Sequence, residues 1–180
     1  MAIGDWLFHL TELLRNTPLV EFSLRVSDWR FALWLQSHFY AIPAFQTLHI
    51  LAIAVLFAST LMLSLRVLGF NGGDQSLAEA MRRYRPWIWS ALLCLVASGI
   101  VLLISEPVRN MINAIFWIKM SLLVVAVGFS LAFQRSICAR MATWDASPDG
   151  HVSLRIGAVA IVLLWCAVMA GGRWIAYAPV

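Results

Sequence analysis

The sequence predicts an all-α integral membrane protein, a four-transmembrane-helix bundle preceded by an N-terminal amphipathic arm. Three observations carry that reading. Of 180 residues, 62% are hydrophobic and only 12% charged, against roughly 45–50% and about 25% in soluble domains. Four apolar stretches are each long enough to cross a hydrocarbon core of about 30 Å, which takes about 20 helical residues. The arginines are gathered between those stretches. Such a composition excludes disorder, collagen, coiled coils and disulfide-stapled secreted scaffolds. Cys94, Cys138 and Cys166 form no CxxC, so neither a zinc knuckle nor a disulfide framework is readable. The net charge of +4 is dispersed, which argues against nucleic acid as a partner and for a role in membrane orientation.

Residues 1–30 form the arm. Ile3, Trp6, Leu7, Leu10, Leu13 and Leu14 recur at helical spacing among Asp5, His9, Glu12 and Arg15. That pattern is amphipathic and lacks the basic start, apolar run and small-residue cleavage site of a signal peptide. Thr17-Pro18 reads as an N-cap and first-turn proline. It opens a second short helix with Val20, Phe22 and Leu24 as its apolar side. Both helices are expected along the outer membrane surface or over the bundle.

Residues 31–180 form the membrane domain. The first span is expected over about 31–65, with Pro43 kinking it or marking where the membrane portion begins. The second covers 86–105, with Pro86 at the tolerated first-turn position. The third covers 111–134, interrupted only by Lys119, and the fourth 152–177, with Arg155 and Arg173 near its ends. Asn71-Gly72-Gly73-Asp74 and Ser147-Pro148-Asp149-Gly150 are loop signals. Arg66, Arg82, Arg83, Arg85, Arg135, Arg140 and Arg155 fall on one side, Arg109 and Arg173 on the other. The positive-inside rule then places the arginine-rich loops in the cytoplasm of a bacterial inner membrane and both termini in the periplasm.

Ionisable side chains within a span are costly and are functional candidates by default. His38 and His49 fall on the first expected span, and eleven residues at about 100° each bring them within about 20° of one face. His49 lies deeper, ahead of the apolar run Leu51–Leu63. A neutral imidazole there can ligate haem iron, bind copper or zinc, relay protons or satisfy a backbone carbonyl. His38, beside Trp34, Phe39 and Tyr40, suits an aromatic belt at the membrane surface as well as a metal. With haem b at His49, Met169 or Met120 stands at comparable depth as a second axial ligand, although methionine also simply fills space. Lys119 and Arg173 are placed to meet propionates, and lipid headgroups would satisfy the same cations. Glu106 is expected to pair with Arg109 or Lys119. Trp29, Trp34, Trp87, Trp89, Trp117 and Trp174 cluster near span ends as anchors. Ser98-Gly99 and Gly171-Gly172 are small-residue sites where a helix or a flat cofactor can approach.

The string Leu48-His49-Ile50-Leu51-Ala52-Ile53-Ala54, followed by Leu65-Arg66-Val67-Leu68-Gly69, resembles a family of uncharacterised bacterial inner-membrane proteins. Their first span starts with an LH-x-L/I-G-like motif and ends with a DLRLLG-like one. Here Ala52 stands at the glycine and Ser64 at the aspartate of that pattern. Arg85-Pro86-Trp87, Ser98-Gly99, Glu106-Pro107 and Phe116-Trp117-Ile118-Lys119 look like its later landmarks. The resemblance runs from about Trp34 onward and implies architecture, not activity. More distantly, the plan is similar to cytochrome b561-like and copper-resistance CopD-like bundles, which implies b-type haem passing electrons between quinone and periplasmic partners. Paired histidines on neighbouring helices are missing here.

No GxSxG, Walker loop or HExxH is present, so a self-contained enzyme is not supported. Three expectations stand. The first is an inner-membrane electron-transfer protein or subunit holding haem b at His49, with Met169, Met120, Lys119 and Arg173 around it and a quinone or periplasmic redox protein as partner. The second is a non-catalytic subunit or scaffold of a larger complex or homo-oligomer. The third is copper or zinc handling by His9, His38 and Asp or Glu neighbours at the periplasmic face.

Overall fold

The computed structural model describes residues 3–70, 76–144 and 152–175. Within them the chain forms eight α-helices and no strand: α1 (Ile3–Arg15), α2 (Leu19–Ser27), α3 (Arg30–Ser37), α4 (Ala41–Leu68), α5 (Leu77–Ser105), α6 (Pro107–Met111), α7 (Ala114–Trp144) and α8 (Val152–Trp174). Four of these, Ala41–Leu68, Leu77–Ser105, Ala114–Arg140 and Val152–Trp174, are long and apolar enough to cross a membrane. The protein is therefore an all-α, four-span, multi-pass membrane protein.

The helix boundaries follow local chemistry rather than the ends of the apolar runs. The helix expected over 31–65 is divided, because α3 stops at Ser37 and α4 begins only at Ala41. His38 adopts an extended conformation (φ −106°, ψ 101°) and caps α3. Pro43 sits in the first turn of α4, where a missing N–H costs no helical bond. At the other end α4 continues past Leu65 to a glycine stop. Gly69 takes φ +89°, its N–H bonds Arg66 O at 3.2 Å, and Phe70 N–H bonds Leu65 O at 3.0 Å. This paired arrangement closes the last turn and needs the left-handed residue that glycine supplies.

The second span also starts earlier than its apolar run. Ser76 N donates to Glu79 Oε2 at 3.0 Å and Glu79 N donates to Ser76 Oγ at 3.2 Å, a reciprocal capping box that nucleates α5 at Leu77. Pro86 thus lies inside α5 rather than in its first turn. The flanking Arg82, Arg83 and Arg85 are exposed, so water can serve the carbonyl that proline leaves without a donor. The third helix begins at Ala114, where Asn113 Oδ1 accepts from Ile115 N at 2.9 Å, and runs on to Trp144. In the arm, Pro18 rather than Thr17 is the N-cap of α2. The Thr17 hydroxyl instead donates back to Leu14 O at 2.6 Å, at the end of α1.

The chain divides into two compact units. One unit contains the arm, residues 41–50 of α4, 94–105 of α5, α6, 114–121 of α7 and the end of α8 from Met169. Here α2 packs on α6, α1 and α3, with Val26, Ala32, Leu35 and Pro107 buried. Gln36 Nε2 donates to Ser105 O at 2.9 Å, holding α3 against the last turn of α5. Asn113, 1% exposed, donates from Nδ2 to Ile175 O at 3.3 Å. The other unit, Leu51–Leu93 with Leu122–Val168, holds most of the buried apolar side chains, among them Leu56, Leu63, Ile137, Ala158 and Ile161. Trp89 Nε1 donates to Gln134 Oε1 at 3.0 Å, and Trp165 Nε1 to Ser130 Oγ at 3.3 Å. These neutral cross-helix pairs fix the register of α5, α7 and α8.

Candidate functional site around His49

The five residues proposed for a cofactor, His49, Met120, Lys119, Met169 and Arg173, all belong to the same compact unit. His49 is nine residues into α4 by count from Ala41 and half-buried. Its Nδ1 is 2.8 Å from Ser98 Oγ on α5. That hydroxyl also lies 2.7 Å from Cys94 O, its closest contact. A carbonyl only accepts, so when the serine proton points at Cys94 O, the usual bond of a serine inside a helix, the serine oxygen accepts from His49 Nδ1–H. In that tautomer of the neutral imidazole Nε2 is unprotonated, with its lone pair open to a ligand.

The ring rests on Gly99. A Cβ at that position would stand 3.5 Å from His49 Cε1, ordinary contact distance, so the glycine marks a flat seat rather than a steric necessity. A second seat forms between α7 and α8. The stem of Lys119 crosses Gly171 and Gly172, with Nζ 3.3 Å from where a Gly172 Cβ would lie. Among the described residues Lys119 has no hydrogen-bond or ion-pair partner, and it belongs to the same compact unit as His49. An acceptor nitrogen and a cation, from α4 and α7, thus share one end of the spans.

The other candidates are placed less centrally. Met120 and Met169 are half-buried, and Arg173 is exposed in the last turn of α8. Arg109 does not join a cationic rim with Lys119, because it pairs with Glu106 at 3.0 Å on α6. His38 does not share a helix face with His49, since it lies outside α4. Its Nδ1 is 2.8 Å from Trp34 O, and its ring lies 4.8 Å from that of Trp34. His9 is exposed on α1. Among the described residues no three His, Cys, Asp or Glu side chains gather into a metal-binding group. A shallow cleft of about 390 Å³ lies elsewhere in the same unit, lined by Ser27, Gln36, Ile42, Ser105 and α6 residues. Of the expected tryptophan anchors, Trp89 is turned inward to Gln134 while Trp87, Trp117 and Trp174 are exposed.

Sequence reasoning singled out Ser98-Gly99 only as a gap for close approach. The pairing of Ser98 with His49 needed the register of α4 against α5, which no local pattern encodes. Asn113 and Gln36 were likewise missed, because their partners are backbone carbonyls far along the chain.

No curated protein and no solved structure matches the chain. A family model, DUF6644, described as a family of unknown function, matches residues 35–178, most of the chain, from the end of α3 to beyond the last described helix. The chain belongs to that family.

Proposed function

We propose that this protein binds one b-type haem through His49 Nε2 and serves electron transfer in a bacterial inner membrane, as a small redox protein or as the haem-holding subunit of a complex. One observation supports the reading: Ser98 Oγ lies 2.8 Å from His49 Nδ1 and can accept its proton, which would hold the ring by that nitrogen and leave Nε2 as a ligand nitrogen. An orienting hydrogen bond on the far nitrogen is what metal-ligating histidines ordinarily possess. The donor set fits the group. Lys119 supplies a cation for a propionate carboxylate, and Met120 or Met169 offers a thioether on the same unit. The bound haem would supply one-electron chemistry; the chain's part is to orient it, neutralise its acid groups and exclude water. The arginine-rich loops support a cytoplasmic placement and a periplasmic arm, with quinone or a periplasmic redox protein as the exchange partner.

The test is the absorption spectrum of protein solubilised from haem-replete cells. A Soret band with near-stoichiometric haem, lost in His49→Ala but kept in Cys166→Ser, is the expected result. Well-folded protein carrying no haem would overturn the proposal.

One observation favours a second reading. Both glycine seats hold this chain's own side chains, His49 over Gly99 and Lys119 over Gly171 and Gly172. In that reading they are packed polar groups of a non-catalytic subunit. Stable co-purifying partners, retained in His49→Ala, would favour it.

A further inference from the structure

The junction between α3 and α4 carries five rings in unbroken succession. Phe31 stacks on Trp34 (6.1 Å between centroids, 9° between planes), Trp34 faces His38 at 4.8 Å, His38 meets Tyr40 edge-on at 5.7 Å, and Tyr40 meets Phe39 at 5.7 Å. Four of the five residues are exposed, Phe39 at 90%. A water-facing surface that left this much contiguous aromatic area bare would be unusual. Across α1, α2 and α3 the small or polar residues Thr11, Ser23 and Ala32 are buried beside Val26 and Leu35, while the large apolar side chains of Trp6, Leu13, Phe31 and Leu33 face outward.

The height of this patch along the spans is fixed within its own unit. Gln36, one turn from Leu33, bonds the carbonyl of Ser105, the last residue of α5. Ala41 N bonds His38 O at 2.9 Å, so α4 starts with no linker beyond the patch. The rings therefore stand at the level where two spans end. At that level Trp and Tyr place an apolar body in the acyl boundary and a polar edge among headgroups. On α2, by contrast, Glu21 and Arg25 pair weakly at 4.0 Å and are about four-fifths exposed, as suits the aqueous side.

We propose that Phe31, Trp34, His38, Phe39 and Tyr40 form an in-plane lipid anchor, seated in the headgroup–acyl boundary of the adjoining leaflet and holding the arm flat on the membrane. His38 belongs to this anchor: its Nδ1 is tied to Trp34 O and the Ser37 hydroxyl lies 3.1 Å from the same nitrogen. The occupant is lipid, because the patch adjoins the start of the membrane-spanning α4, on which Leu48 and Ile50 are uncovered.

Nitroxide labels test the proposal in full-length protein lacking Cys94, Cys138 and Cys166, reconstituted in nanodiscs of phosphatidylcholine and phosphatidylglycerol. Single cysteines replace Phe31 or Phe39, with Arg25 as the water reference and Leu163 of α8 as the lipid reference. Collision rates with oxygen and with a water-soluble nickel chelate are measured at each site. At Phe31 and Phe39 the nickel rate should fall several-fold below that at Arg25, with oxygen rates near those at Leu163. Nickel rates equal to Arg25 would mean a water-facing cap and overturn the proposal. Low rates for both reagents would mean a covering protein surface, a second copy or a partner, and overturn it equally.

Discussion

Replacing Ser98 with alanine isolates the contact that, in the proposed reading, holds His49 by Nδ1 and leaves Nε2 for a ligand. The Cys94 carbonyl keeps its main-chain helical donor, so the substitution leaves the serine's own helix intact. What is lost is the 2.8 Å acceptor for Nδ1–H. Cross-helix hydrogen bonds in membrane proteins average about 0.6 kcal/mol and reach about 1.7 kcal/mol, so Ser98→Ala should destabilise the fold by about 1 kcal/mol. The ligand effect is larger. Without its acceptor the ring can turn or move its proton to Nε2, and loss of such an orienting partner typically weakens metal binding about 10–100-fold. Haem titration in nanodiscs, beside unfolding in mixed micelles, separates the two quantities. Ser98→Thr, which keeps the γ-hydroxyl, should restore affinity. Wild-type affinity in Ser98→Ala, combined with loss in His49→Ala, would refute the claim that this hydroxyl sets the tautomer. Undiminished affinity in His49→Ala would refute the site itself.

Other perturbations follow from the packing. A Cβ on Gly157 would lie 3.1 Å and 3.3 Å from Phe133 ring carbons, so Gly157→Ala should lose about 1–3 kcal/mol to overpacking, offset by up to about 1 kcal/mol of helix propensity. Gly99→Ala, with contact only at 3.5 Å, should be neutral or stabilising in the same unfolding assay. A double-mutant cycle on Trp89→Phe and Gln134→Leu should give a coupling of about 0.6–1.7 kcal/mol; zero coupling would mean the 3.0 Å bond contributes nothing net. Asn113→Ala removes both the cap of α7 and the tie to Ile175 O, and should cost about 1–2 kcal/mol.

Much of the architecture was legible because the bilayer imposes one length and one polarity on every span, and Phe31 to Tyr177 shows both. The errors have a common cause. Apolar runs mark where lipid is, whereas helices end where backbone groups find other partners. Ser76-Leu77-Ala78-Glu79 is a readable capping signature, and Leu68-Gly69 a readable stop, but both lie outside the hydrophobic stretches. His38 falls on the expected long span because no charge or turn signal interrupts the sequence at Ser37; the break comes from an extended backbone between two helices, held by local hydrogen bonds. His49 was legible as a lone ionisable group in oil. Its partner was not, since Ser98 becomes special only once α5 is laid beside α4.

The two units also solve the same problem differently, and the difference bears on Lys119. In one, two cross-helix pairs within the spans are neutral, Trp89 with Gln134 and Trp165 with Ser130, while the buried hydroxyls of Thr60 and Ser64 have no partner among the described residues. Such pairs give register without placing charge in a low dielectric. A fold needing only cohesion around α7 could use the same device, yet it carries an ammonium over Gly171 and Gly172 with no carboxylate against it among the described residues. An unpaired charge near the membrane weakens the fold rather than holding it, so in the proposed reading Lys119 is there to meet an anion, a propionate or a lipid headgroup. Lys119→Met should therefore leave stability unchanged or raise it by about 1 kcal/mol, since the thioether stem still fills the glycine seat. In haem titration the same variant should bind more weakly, with His49 ligation spectroscopically intact. A loss of stability beyond about 1 kcal/mol with unaltered affinity would make Lys119 a structural cation, and the site would reduce to His49 and Ser98 alone.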